Sequence, residues 1–154
     1  MSLDRKLLNY SIYSDPKFQK PNESIIKSSC DMVFDANKIS HVNISFIFCV
    51  DELLLDFKKK YFKKNYFTDV IAFRMNGINK RKIEGEIYIS LERALENSKI
   101  YNEPFEKEII RLVIHGCLHL IGFDDKNNLE KKNMTNMEDN FLSKINWEGL
   151  LLNG

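Results

Sequence analysis

The segment Glu106–Asp125, with the sequence EKEIIRLVIHGCLHLIGFDD, constrains the fold more than any other part of the chain. Its apolar residues recur with the spacing of a buried helix, and they include Ile109, Ile110, Leu112, Val113, Leu118 and Ile121. Gly122 comes where a glycine in a left-handed conformation commonly ends a helix. The sequence therefore predicts a buried helix that ends in a turn, with two aspartates directly after it.

Strand and helix patterns alternate along the rest of the chain. The predicted strands are Leu7–Tyr13, His41–Val50, Val70–Met75 and Ile83–Ser90, with a polar loop over Asn76–Lys82. The predicted helices run from an Asn22 cap to Phe34, over Glu52–Phe62 with Asp51 as cap, and over Leu91–Tyr101, Glu103–Ile121 and Leu129–Ile145. In the last helix, Met134, Met137 and Leu142 have the spacing of residues that pack against the Glu106–Asp125 helix. This order predicts an α+β fold in which a mixed four-stranded sheet is packed with helices.

Length and composition suit a soluble protein with a core of its own. The 154 residues predict a single domain over 1–154, and the net charge of +1 excludes no class of partner. Cys30, Cys49 and Cys117 form no C-x-x-C pair, which argues against a disulfide framework and favours a reducing, cytoplasmic location. The apolar stretches are far shorter than the roughly 18 residues of a membrane span, so no membrane partner is expected.

His115 and His119 lie four residues apart, so both imidazoles project from one face of the predicted helix. The turn at Gly122 would bring Asp124 or Asp125 back towards them. Two imidazoles and one carboxylate leave a coordination position for water, which is typical of a catalytic zinc site. Such an ion lowers the pKa of a bound water to near neutrality. The third histidine, His41, begins a strand and has no partner in this pattern.

Zinc peptidases of the H-E-x-x-H type carry a glutamate as general base directly after the first histidine. Here that position is Gly116. Peptide hydrolysis is therefore disfavoured, and attack on another ester such as a phosphodiester stays open.

Three blocks of the sequence resemble one known family. His115-Gly-Cys-Leu-His119-Leu-Ile-Gly122-Phe-Asp-Asp125 resembles the H-G-x-L-H-L-x-G-Y/F-D-H signature of the YbeY family of metal-dependent endoribonucleases, the rRNA maturation factors. The segments Thr68–Phe73 and Gly85–Ser90 resemble the family's T-[ND]-V-L-S-F and G-D-I-x-I-S strands, in the same order and spacing. The resemblance extends from about Val42 to Ile145.

The resemblance implies a zincin-like α+β fold and cleavage of single-stranded RNA, in 16S rRNA 3′-end maturation and late-stage 70S ribosome quality control. It implies one Zn²⁺ per chain, held by His115, His119 and Asp125, although this ligand set also suits other divalent ions. Asp125 departs from the family's usual histidine, and aspartate is an acceptable zinc ligand. Asp124 then becomes a residue that supports a ligand without binding the metal. Glu138 lies in a region that resembles the family's M-x-x-x-E, and its spacing supports no catalytic role.

The family often carries an arginine six residues before the T-[ND]-V block, and here that position is Phe62. Lys63, Lys64 or Arg74 could contact RNA phosphates in its place. The run Lys58–Lys64 holds five lysines and two aromatic residues, so it could follow an RNA backbone while an aromatic ring stacks on bases. The alternative is a solvated helix end in which Tyr61 and Phe62 are buried.

Three functions are consistent with these features. The first is a metal-dependent endoribonuclease that acts on single-stranded RNA such as a 16S rRNA precursor, in contact with the ribosome or small-subunit proteins. The second is a non-catalytic ribosome-associated factor with a structural metal. The third is a zinc hydrolase, including a peptidase-like enzyme, with another substrate. The sequence identifies no general base for any of them.

Overall fold

The computed structural model describes residues 6–77 and 82–151. These residues form the strands β1 (Leu7–Ser14), β2 (His41–Cys49), β3 (Val70–Arg74) and β4 (Lys82–Ser90), and the helices α1 (Glu23–Ala36), α2 (Asp51–Tyr61), α3 (Leu91–Ile100), α4 (Phe105–Ile121) and α5 (Asn128–Leu142). The predicted loop Asn76–Lys82 includes residues 78–81, which lie outside the described residues. Within the described ranges, no helix has both the length and the apolar character needed to cross a membrane.

The strands form one mixed sheet with the order β1-β2-β4-β3. β2 is parallel to both β1 and β4, whereas the edge strand β3 runs antiparallel to β4. The predicted α+β class with a mixed four-stranded sheet is therefore confirmed. Because His41 is paired with Lys82 and Cys49 with Ser90, β2 and β4 end side by side, and the helices that follow them begin next to each other.

Helix α4 lies at the centre of the fold. It packs against β3 and β4 on one side and contacts α1, α3 and α5 on its other sides. Alternate residues of β2 form the buried face of the sheet, as the sequence predicts, and they are Val42, Ile44, Phe46 and Phe48. On α5, Met134 and Leu142 are buried and Met137 is partly buried in the same core, which confirms the predicted packing. The two histidines of the sequence motif thus lie on a helix that is largely enclosed by the rest of the fold.

Two glycines let α4 lie close to the sheet. A methyl group on Gly85 would lie 2.6 Å from the carbonyl oxygen of Phe73 and 3.0 Å from Cδ1 of Leu120 on α4. A methyl group on Gly116 of α4 would lie 2.8 Å from Cγ2 of Ile87. Any larger residue at either position would push the helix away from β4.

We expect Gly85→Ala to lower the free energy of unfolding by about 1–3 kcal/mol, the usual cost of overpacking a core. The backbone oxygen of Phe73 cannot swing away as a side chain could, because β3 is held in register by β4. Urea denaturation followed by circular dichroism measures the effect. Gly77→Ala is the control, because no atom lies within 4 Å of the position of its new methyl group. Equal midpoints for the two variants would contradict the close-packing interpretation.

The predicted helix ends are partly wrong. Asn22 caps α1 as predicted, since its side chain accepts a hydrogen bond from the Ile25 amide at 3.1 Å. Asp51, the predicted cap of α2, is instead the first residue of the helix. Its carboxylate pairs with Arg93 at 2.6 Å because the starts of α2 and α3 are adjacent. α4 begins two residues later than predicted, after Pro104, and α5 ends at Leu142, not at Ile145.

Candidate metal centre

His115 and His119 meet on one face of α4, as their spacing predicts. Their Nε2 atoms are 3.0 Å apart. Both side chains are partly exposed, at 19% and 26%, although most of the helix around them is buried. The two imidazoles therefore open towards solvent from a rigid part of the core.

Gly122 ends α4 and turns the chain back towards these histidines. Its φ is +123°, a conformation that favours glycine, and its amide donates hydrogen bonds to the carbonyl oxygens of Leu118 and His119. After this turn, Asp125 Oδ2 lies 3.4 Å from His115 Nε2, and Asp125 Oδ1 lies 3.5 Å from His119 Nε2. Asp124 is exposed, with its carboxylate 4.0 Å from Lys126 Nζ. Of the two predicted aspartates, Asp125 is thus the one that faces both imidazoles.

The three side chains fit a divalent metal ion. One ligand atom from each of His115, His119 and Asp125 lies within 4.8 Å of the other two. In a tetrahedral zinc site, bonds of about 2.0–2.2 Å place ligand atoms roughly 3.3–3.5 Å apart. The separations here, from 3.0 to 3.5 Å, are close to that spacing. Two neutral imidazoles and one carboxylate are also a donor set that zinc commonly uses.

Glu138 of α5 holds His115 from the side opposite Asp125. Its Oε2 lies 2.7 Å from His115 Nδ1, while its Oε1 accepts a hydrogen bond from Arg111 at 3.0 Å. Glu138 is 5% exposed, so this contact is shielded from water. A proton on Nδ1 leaves the Nε2 lone pair of His115 facing Asp125 and His119, which is the tautomer that a metal ligand needs. The sequence contained a weak signal for this residue, but spacing along the chain could not place α5 against α4.

The two histidines differ in their electrostatics. Burial lowers the pKa of His115, but the hydrogen bond and negative charge of Glu138 outweigh burial and raise the pKa above its usual value. Burial and the neighbouring His115 lower the pKa of His119. His119 is therefore neutral near pH 7 and offers a lone pair, while His115 is held in place by a carboxylate.

Residues 11–146 match the model of the family described as Endoribonuclease YbeY. The chain belongs to the YbeY family. An Endoribonuclease YbeY of Amoebophilus asiaticus is 37% identical over 86% of this chain and 90% of its own length. The relative from Karelsulcia muelleri is 36% identical over 88% of this chain and 94% of its own length.

A solution structure of a Thermotoga maritima protein has the same fold. It aligns with a TM-score of 0.61 and 23% identity, over 88% of this chain and 87% of the other. At that identity the likeness supports the fold alone. The family assignment rests on the sequence comparisons, and it confirms the resemblance carried by the motifs of α4, β3 and β4.

The chain departs from the family pattern at Phe62, where an arginine is expected. The Phe62 ring stacks on Phe73, with centroids 6.1 Å apart. Lys63 and Lys64 follow it in an exposed turn, and Lys63 has a positive φ of 52°. Both lysines are therefore available to an anion, and a contact with RNA phosphates stays a prediction for them.

Arg74 has a different environment from the two lysines. Its guanidinium donates hydrogen bonds to the carbonyl oxygens of Leu120 and Lys82, at 2.8 and 2.9 Å, and to the Asn76 side chain at 2.9 Å. These bonds join the end of β3 to the last turn of α4. Arg74 thus has a structural role in this region, and a phosphate contact by Arg74 stays a prediction.

A cleft of about 680 Å³ opens beside His115 and Asp125. Three polar side chains that the sequence reading missed line it together with Glu138. Asn97 of α3 donates hydrogen bonds to Asp69 Oδ2 at 2.9 Å and to Glu108 Oε2 at 3.2 Å. Asp69 directly precedes β3, and Glu108 lies two turns before His115 on α4. Only the packing of α3 and β3 against α4 brings these groups together.

We expect Glu108→Gln to stabilise the protein at pH 8 by about 1–3 kcal/mol. Burial raises the pKa of Glu108 from 4.5 to about 7. Between these values the unfolded chain releases a proton that the folded chain keeps, so the free energy of unfolding of the wild type falls as the pH rises. Glutamine cannot ionise and should avoid this loss. Urea denaturation of both proteins from pH 4 to pH 8 tests the sign, since a difference that does not grow with pH would contradict it.

Proposed function

We propose that this protein is a metal-dependent endoribonuclease that cleaves single-stranded RNA. The observation that carries the proposal is the convergence of His115, His119 and Asp125 beside an open cleft, in a chain of the YbeY family. A site of this composition leaves room for water and a substrate oxygen, which is typical of catalytic metal centres. We further propose that residues 1–154 act as one endoribonuclease domain.

The proposed ligands are His115, His119 and Asp125, with one zinc ion per chain, and the same set suits other divalent ions. When bound, such an ion makes a coordinated water more acidic and draws electron density from a phosphodiester oxygen. Glu138 keeps the proton of His115 on Nδ1, and Arg111 orients the Glu138 carboxylate. The cleft beside His115 admits the RNA strand.

For the biological role, we propose 16S rRNA 3′-end maturation and late-stage 70S ribosome quality control in the cytoplasm. The support for this role is membership of the family, whose curated relatives bear the name endoribonuclease. The partners would be a 16S rRNA precursor and the ribosome or small-subunit proteins, with Lys63 and Lys64 on RNA phosphates. The free state of Cys30, Cys49 and Cys117 is consistent with a reducing compartment.

A peptidase of the H-E-x-x-H type has structural evidence against it. The glutamate of that motif would replace Gly116, where even a methyl group would lie 2.8 Å from Cγ2 of Ile87. The position faces β4 and not the cleft. No carboxylate can therefore serve as general base from this point of α4.

Metal removal tests the proposed activity. Protein stripped of metal by a chelator should cleave no RNA, and addition of zinc or manganese should restore cleavage of a single-stranded oligonucleotide but not of the same sequence as a duplex. Casein should stay intact in every sample. Metal uptake without RNA cleavage would support the structural-metal alternative and contradict the proposal. Cleavage that is indifferent to metal would also contradict it.

A further inference from the structure

Four aromatic rings next to β3 are exposed to solvent. Tyr61, Phe62, Tyr66 and Phe67 are each between 41% and 56% exposed, and together we call them the aromatic platform. The alternative in which Tyr61 and Phe62 are buried is therefore wrong. Large apolar side chains that are exposed as a group, not singly, mark interaction surfaces.

Two members of the aromatic platform, Tyr61 and Phe62, rest on a layer of rings beneath them. Phe73 stacks with Phe62 and meets Tyr61 edge to face, with centroids 6.1 and 5.7 Å apart. Phe57 packs under Tyr61 at 5.9 Å and against Tyr88 at 4.9 Å. This support holds Tyr61 and Phe62 in place, so that little of their side-chain entropy remains to be lost when a partner binds.

Cations surround the same rings. Lys58 Nζ lies 4.6 Å from the centroid of Phe62 and 5.5 Å from that of Tyr66, and the Arg93 guanidinium lies 4.9 Å from the ring of Phe67. Four more lysines lie within the same short segment, namely Lys59, Lys60, Lys63 and Lys64. Within the described residues, the lysine–carboxylate ion pairs are formed by other lysines, which are Lys6, Lys20, Lys107 and Lys126. Arg93 is paired with Asp51, so the charge that is available to a polyanion is that of the five lysines.

The aromatic platform adjoins the cleft of the metal centre. Asp69 lines that cleft together with His115, and Phe67 precedes Asp69 by two residues. Two residues span at most about 7 Å, so the backbone of Phe67 lies within that distance of a residue that lines the cleft. A strand that stacks on the rings could therefore extend into the cleft without a long detour.

We infer that the aromatic platform binds unpaired bases of single-stranded RNA, while Lys63 and Lys64 contact the phosphates between them. The inference rests on the proposed function and names the surface by which that function would select its substrate. Base faces stack on aromatic rings without regard to sequence, and basic side chains hold the backbone. Bases within a duplex present no free face, so the surface also provides a physical reason for single-strand preference. An uncharged protein partner would leave the five lysines unused.

Tyr66→Leu is the variant that tests the inference. Tyr66 is 54% exposed and its ring contacts Lys58, so leucine keeps an apolar side chain without removing support from the core. Tyr13→Leu is the matched control, since Tyr13 is 57% exposed on β1, at the opposite edge of the sheet. Fluorescence anisotropy of the metal-loaded full chain with a 2′-O-methyl single-stranded oligonucleotide measures binding. A second oligonucleotide, which has the same backbone but no bases, measures the contribution of the phosphates alone.

Tyr66→Leu should weaken binding of the oligonucleotide with bases at least about fivefold, the loss expected for one stacked base. Tyr13→Leu should bind as the wild type does. The wild type should bind the oligonucleotide without bases more weakly than the oligonucleotide with bases. For the oligonucleotide without bases, the wild type and Tyr66→Leu should have equal affinities. Phe67→Leu should repeat this pattern. Equal affinity of Tyr66→Leu and wild type for RNA with bases would overturn the inference, as would an equal loss for both oligonucleotides.

Cleavage assays on unmodified RNA separate this inference from the proposed function. If no RNA is cleaved but Tyr66→Leu still weakens binding of RNA with bases, the inference that the aromatic platform binds bases is supported. The proposed cleavage of RNA is then contradicted. If RNA is cleaved in a metal-dependent way and Tyr66→Leu binds as tightly as the wild type, the proposed enzymatic activity is supported. The inference that the aromatic platform binds bases is then contradicted.

Discussion

A His115→Ala protein should fail to retain a divalent metal ion and should cleave RNA at least about a thousandfold more slowly than the wild type. His115 is the side chain that lies closest to both other ligands, with its Nε2 at 3.0 Å from His119 and 3.4 Å from Asp125. Without it, two ligands remain, which is too few for a catalytic zinc site. Elemental analysis and a cleavage assay on single-stranded RNA measure the two losses.

His41→Ala provides the control for this experiment. His41 lies at the start of β2, and its Nδ1 is 3.1 Å from Ser40 Oγ, so it is a histidine outside the metal centre. The control protein should keep its metal and its activity. Equal cleavage by wild type and His115→Ala would point to a contaminating nuclease and would remove the enzymatic claim.

Replacing Glu138 with glutamine should weaken metal binding about 10- to 100-fold, even though Glu138 is not a ligand. The carboxylate accepts hydrogen bonds from His115 and Arg111 at the same time. A glutamine can accept from only one of them, because its amide group donates. If the amide faces His115, it stabilises the tautomer with the proton on Nε2, which cannot bind a metal. If the amide faces Arg111, its N–H groups point at the N–H groups of the guanidinium, and no hydrogen bond forms between them.

Asp139→Asn separates this effect from a general loss of the Arg111 contacts. Asp139 accepts a hydrogen bond from Arg111 at 2.7 Å but is 57% exposed, so its removal should cost less than about 1 kcal/mol. Metal affinity, measured by competition with a chelator, should stay at the wild-type level. If Asp139→Asn weakened metal binding as much as Glu138→Gln, Glu138 would act through Arg111 and not through His115.

Local patterns predict the candidate metal site because its three residues belong to one short segment. The four-residue spacing of His115 and His119 and the glycine turn after them are properties of a helix and its end, which the sequence encodes directly. The choice of Asp125 over Asp124 came from the family resemblance, and the geometry of the turn agrees with it. The strands were predictable for a similar reason, since the pattern of apolar residues within a strand needs no knowledge of its neighbours.

The parts that sequence reasoning missed depend on packing between distant elements. Glu138 contacts His115 across 23 positions of the chain, and Asn97 contacts Asp69 across 28. Asp51 has the residue type of a helix cap, but the alignment of β2 with β4 places it against Arg93 instead. Each of these outcomes follows from which elements lie side by side, and local propensity carries no information on that.

The position of the histidines at the end of α4 has a consequence for the charge of the centre. The carboxyl end of a helix carries a partial negative charge of roughly half an elementary charge, and His119 lies in the last turn. This field favours a cation there without adding a second carboxylate to the ligand set. Glu138 is not a ligand, and it shares the positive charge of Arg111 with Asp139. With Asp125 as the one anionic ligand, a divalent ion would keep part of its positive charge, and a phosphodiester would be attracted where an all-carboxylate site would repel it.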